Sequence, residues 1–106
     1  MNGAELKATL KAGGRVFGTT ISVSRNPRWI PVFNGAGLDY VVIDTEHNPR
    51  SRGELGDFLM MFNATNVAPI VRIPMPDSHY VTMAVDAGAQ GVLAPTARQW
   101  TRSKRW

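Results

Sequence analysis

The sequence predicts an α/β fold with a parallel sheet, and three observations carry that expectation. Two short apolar runs, residues 40–44 and 68–73, lack the alternation of a half-exposed strand; such runs suit strands covered on both faces. Helix-like segments flank them, opened by capping residues and closed by glycine or proline. The resulting order, α-β-α-β-α-β-α-β, winds into one parallel sheet through right-handed crossovers.

Residues 4–12 read as a short helix with Leu6 and Leu10 on one side, stopped by Gly13 and Gly14. Residues 15–22, with Val16, Phe17 and Ile21, read as the first strand. Asn26 and Pro27 form a cap and first turn for a helix to Gly37, which must place Pro31 in its first turn. The second strand is 40–44. Ser51 and Glu54 make a capping box for a helix to Asn63. The third strand, 68–73, closes at Pro74. Asp77 and Ser78 then open a helix whose Val81, Ala84, Val85 and Gly88 share a face. The fourth strand, 91–94, ends at Pro95. Residues 36–42 and 87–93 echo each other as helix end, turn and strand, a repetition expected in a (β/α)8 barrel.

A complete barrel of that kind takes about 250 residues. This chain has 106. Four strands make it a small open sheet or the front half of a barrel that stops after strand four. Residues 1–95 form the domain and 96–106 a separate basic tail.

Composition narrows the class. With 43% apolar residues, 10 Gly and 7 Pro the chain reads as globular. No apolar run approaches the ~20 residues of a spanning helix, so no membrane partner is expected. The first residues show no signal peptide. The absence of Cys excludes disulfides, thiolate metal sites and a Cys nucleophile, and makes the cytoplasm the default location. Four of the 12 basic residues fall in the last nine positions, which hold no acid; the rest is formally neutral. Basic residues with two Trp could meet nucleic acid. With no groove-forming element beside them, they read instead as a solvated terminus.

Ligands of α/β folds gather at the carboxyl ends of the strands. Ser22, Ser24 and Arg25 follow strand one, Asp44, Thr45, Glu46 and His47 strand two, Arg72 strand three, and Pro95 with Thr96 strand four. His47 could act as a general base, because imidazole titrates near neutral pH. Asp44 and Glu46 could orient it, bind a cation or pair with Arg72. Arg72 offers a planar fork to a carboxylate or an enolate oxygen. The same residues also fit a structural strand-end ion pair followed by a capping turn through Asn48 and Pro49. His79, in a helix's first turn, reads as solvent-facing. Asp86 sits against its helix dipole, a placement that suggests a partner.

Three stretches together resemble the HpcH/HpaI aldolase family: residues 42–49 around Asp44-Thr45-Glu46-His47, residues 71–74 around Arg72, and residues 86–95 from Asp86 to Pro95. Residues 7–13 and 17–19 fit that family's first helix and strand. The resemblance implies a metal-dependent class II aldolase on a (β/α)8 barrel, here shortened to its N-terminal half. Such enzymes cleave 4-hydroxy-2-oxo acids to pyruvate and an aldehyde. They use a divalent metal, commonly Mg²⁺, Mn²⁺ or Co²⁺, as Lewis acid. By motif position His47 matches the catalytic base, Arg72 the transition-state stabiliser and Asp86 the acid that raises the basicity of the His. Asp44 matches a supporting acid, with Glu46 beside it.

The family's metal ligands, a Glu and an Asp on strands five and six, have no counterpart in these 106 residues. The change of composition after Pro95 reads as a cut-short or frame-shifted end that impairs activity and makes metal binding doubtful. Since a crossover helix ends at the sheet's far side, Asp86 is expected to meet His47 in one of two ways: the helix ends early, or the pair forms across a subunit contact, as a family-like homo-oligomer would allow. The competing readings are a non-catalytic half-barrel fragment and a binding module built on the tail.

Overall fold

The computed structural model describes residues 1–21, 26–45 and 50–95. Glu46, His47 and the basic tail lie outside the described residues, as do Ser22, Ser24 and Arg25. Helix α1 spans Gly3–Lys11, strand β1 Gly18–Ile21 and a 3-10 helix Pro27–Gly35; β2 spans Tyr40–Asp44, α2 Arg52–Asn63, β3 Ala68–Arg72, α3 Ser78–Asp86 and β4 Gly91–Leu93. All three strand pairings are parallel, and the strands lie in the order β1-β2-β3-β4. A doubly wound sheet reverses its strand order at a switch point. Sequential order is that of consecutive units of a (β/α)8 barrel. The expected half-barrel is what the chain forms.

Side chains alternate across a strand, and this divides the sheet into two faces. Ile21, Val41, Ile43, Val71 and Ile73 pack with Leu55, Phe58, Leu59 and Phe62 of α2 and Ala84 of α3, all buried. This is the helix-covered side. The opposite parity carries Thr20, Tyr40, Val42, Asp44, Ile70, Arg72 and Leu93. Its last row, at the carboxyl end, is Asp44, Arg72 and Leu93, paired in register across β2, β3 and β4.

Local sequence explains most element ends. Asn2 and Glu5 form a capping box at α1, and Ser51 and Glu54 one at α2. The Asp77 side chain accepts from the His79 N–H at the start of α3. Gly13, at φ 82°, lets the chain turn out of α1.

Three expectations need correction. Residues 27–35 form a 3-10 helix, not an α-helix, with Pro31 inside it. Proline has no N–H to donate, and its ring collides with the carbonyl four residues back. The first strand begins at Gly18 rather than residue 15. Phe17 still binds β2's entry, its carbonyl accepting from Asp39 and Tyr40, but its side chain is 65% exposed. Two supposed core residues face water: Leu10 is 54% and Val85 52% exposed. Hydrogen bonds from Gly3 N–H to Gln90 Oε1 and from the Met1 ammonium to the Asn66 carbonyl tie the start of α1 to the body, and Leu6 is the residue it buries. In α3 the packed positions are Tyr80, Val81, Ala84 and Ala87.

At the amino end of the sheet Asn63 donates to the Gly88 carbonyl at 2.8 Å, and Gln90 donates to Asn63 Oδ1 at 2.8 Å. Gly88 has φ 113°, and an added Cβ would lie 2.9 Å from Asn63 Nδ2. Gly88→Ala is expected to cost about 1–3 kcal/mol. Gly56, inside α2, has open space around such a Cβ. Gly56→Ala is expected to stabilise by about 0.5–1 kcal/mol. Opposite shifts of the urea midpoint check the pair.

Among the described residues β1 and β4 are edge strands, and unpaired edges template association. Exposed apolar groups, Phe17, Val32 at 75% and Leu93 at 41%, add to that tendency. A polypeptide of these 106 residues is expected to self-associate in sedimentation velocity. A monodisperse monomer with cooperative unfolding would contradict this. Among the described residues no helix is long and apolar enough to cross a membrane.

Candidate active site

The row that ends the sheet brings two of the expected site residues together. Asp44 closes β2 and Arg72 closes β3, and they are register partners. Their side chains meet at 3.7 Å, Arg72 Nη1 to Asp44 Oδ2. The Asp44 side chain is 6% exposed and that of Arg72 33%. Asp44 is the one buried charged residue among those described. A buried carboxylate needs a cation or donors to remain ionised, and the neighbouring guanidinium answers that need. The ion pair runs through Nη1 of a guanidinium that carries five N–H donors. Arg72 keeps a partly exposed side beyond the pair.

The backbone beneath this pair is tied as well. Thr45 donates twice to the Arg72 carbonyl, through N–H at 3.1 Å and Oγ1 at 2.5 Å. Five residues later the Arg50 guanidinium lies 4.5 Å from the centre of the Phe58 ring. The sequence places Thr45 at the strand end without a role and does not single out Arg50. Thr45 shows no signal, because its partner is 27 positions away. Arg50 had one: an Arg immediately before the Ser51 cap.

The other expected residues are distributed differently. Asp86 is the last residue of α3 and exposed. That helix returns the chain from the carboxyl end of β3 to the start of β4, so Asp86 lies at the opposite end of the sheet from Asp44 and Arg72. Within one chain the fold does not bring it to the pair. His79 is exposed, and its ring meets Tyr80 edge-on at 5.4 Å. The described residues do not make a divalent-metal site: no three His or acidic groups cluster among them. Among the described acidic residues Asp44 alone lies at the strand ends, and its Oδ2 faces the Arg72 guanidinium. Hard divalent ions take several oxygen ligands, more than the described strand ends supply.

A sequentially ordered parallel sheet that sets an acid and an arginine side by side at its carboxyl end defines a barrel-type α/β protein. Residues 21–101 match the HpcH/HpaI aldolase/citrate lyase family, and the chain belongs to it. It is 28% identical over 89 residues to the hydroxypyruvate/pyruvate aldolase of Roseobacter denitrificans, covering 84% of this chain and 34% of that one. The crystal structure of an HpcH/HpaI aldolase from Desulfitobacterium hafniense superposes with a TM-score of 0.74 at 34% identity, over 82% of this chain and 34% of that one. The citrate synthase SbnG superposes at 0.76 with 33% identity, over 86% and 37%. The chain spans about a third of the length of these relatives.

Proposed function

We propose that the chain supplies the enolate-forming part of a carbon–carbon lyase that cleaves 4-hydroxy-2-oxo acids to pyruvate and an aldehyde. The observation that carries this reading is the Asp44–Arg72 pair at the strand ends, in a chain of an aldolase family. His47 is the base. It takes the proton of the C4 hydroxyl, the C3–C4 bond breaks, and the aldehyde leaves. The electron pair passes to the C2 carbonyl as an enolate, whose oxygen Arg72 stabilises. Return of a proton to C3 gives pyruvate. Asp44 holds the Arg72 fork in place, and Glu46 supports the same strand end. Asp86 raises the basicity of His47 when a second copy brings it near.

A divalent metal would add Lewis-acid stabilisation of the enolate. The Glu and Asp that the family resemblance assigns to it lie on strands five and six, outside these 106 residues. Little turnover is therefore expected from this polypeptide alone. Slow, metal-independent exchange at the methyl group of pyruvate is expected instead, because base and oxyanion partner are both present. Proton NMR of pyruvate in D₂O, with and without Mn²⁺ or Co²⁺, tests this. Exchange should vanish in His47→Ala. Equal exchange in that variant would overturn the assignment of the base. Strong metal stimulation would show that Asp44 and Glu46 hold the ion.

A further inference from the structure

The connection between β2 and α2 starts at Thr45 and ends at Arg50, and both are held by contacts outside the local chain. Thr45 is bonded through two atoms to one acceptor, the carbonyl of the residue whose side chain pairs with Asp44. Any shift of Thr45 must break both bonds or drag Arg72 with it. Arg50 is held from below. Its Nε, Nη1 and Nη2 are shut off from solvent, and its guanidinium covers a Phe58 ring that is itself fully buried in the core. A planar guanidinium can lie on a ring face as an ammonium cannot. Immediately after it, the Ser51–Glu54 capping box fixes the start of α2.

We propose that Thr45 and Arg50 are positioning residues that fix the two ends of the β2–α2 connection, Thr45 on the Arg72 backbone and Arg50 on the Phe58 ring. The connection carries Glu46 and His47. Both anchors lie at residues that border this stretch, and catalysis demands placement to about 0.5 Å. The functional meaning of the clamp rests on the reading of His47 as the base; the anchoring itself does not. It also couples the two halves of the site, since Arg72 serves as oxyanion partner through its side chain and as anchor through its carbonyl.

The test is amide hydrogen exchange by NMR on the 106-residue chain. The reporters are Thr45 N–H, bonded to Arg72, and Ser51 N–H, bonded to Glu54 Oε1. Leu59 and Phe62, in the core of α2, are the references. Arg50→Met keeps an apolar side chain on Phe58 but removes the planar cation. It should raise exchange at Thr45 and Ser51 about tenfold or more and at the references less than twofold, the pattern of local opening. Thr45→Val, which keeps shape and removes the hydroxyl donor, should do the same at Thr45. Arg50→Lys should restore less than half of the lost protection.

The imidazole signals of His47 should shift in Arg50→Met, with those of His79 unmoved as internal control. Unchanged reporters in both variants overturn the proposal, as does a uniform rise across reporters and references. Full protection in Arg50→Lys overturns the role of the stack. Pyruvate exchange is measured on the same samples. Its absence from the wild type would count against the lyase reading, while the amides still decide the anchoring.

Discussion

Alanine in place of Arg72 is expected to lower His47-dependent exchange at pyruvate about 100-fold, the usual loss when one donor to a developing oxyanion is removed. The enolate oxygen carries charge only once the proton has left, so the effect falls on the rate and much less on pyruvate affinity. Arg72→Lys keeps the charge but not the fork, and is expected to recover only part of the rate. The stability effect should be smaller. Arg72 is about one-third exposed and meets Asp44 at 3.7 Å, so solvent screens much of the pair. If Arg72→Ala instead unfolds the chain and no exchange is seen in the wild type, the strand-end pair is structural.

Phe62→Ala is expected to destabilise the fold by about 3–5 kcal/mol, as truncation of a buried aromatic does. Phe62 is fully buried, with its ring 5.8 Å from that of Phe33 in the 3-10 helix. It joins α2 to the one segment of irregular helix in the core. A small domain has only about 5–15 kcal/mol in total, so this single change should lower Tm by more than ~12 °C. Met60, two positions earlier, is 65% exposed, and Met60→Ala should stay within about 0.5 kcal/mol. Thermal scans of the two variants check the contrast. Similar losses in both would mean that α2 is not packed by the face described.

The sequence made legible whatever depends on neighbours along the chain. The strands 40–44 and 68–72 announce themselves by unbroken apolar runs, and Ser51 with Glu54 marks the start of α2 to the residue. The Asp44–Arg72 pair was legible because both residues close apolar strands, and sheet register then set them side by side. What was hidden depends on distant partners. Asn63 binds Gly88 and Gln90 across more than 20 positions, and Thr45 binds Arg72 across 27; no spacing rule foretells such bonds. Periodicity groups Val81, Ala84 and Val85 on one face of α3; Val81 and Ala84 do pack, but Tyr80 joins them while Val85 is exposed. Pro31 signalled trouble for an α-helix without saying that the chain would tighten to 3-10 along its whole length.

The most direct measurement of the central claim is a titration of the chain with oxalate, a planar dianion shaped like the pyruvate enolate, followed through the Arg72 Nε–H signal in ¹H–¹⁵N NMR. An anion-recognising end of the sheet predicts a saturable shift of Arg72 Nε–H together with the His47 ring signals. The signals of the exposed His79 should stay still, and the His47 shift should be lost in Arg72→Ala. An Arg72 signal that does not move, or a His47 shift that persists unchanged in Arg72→Ala, would contradict the account.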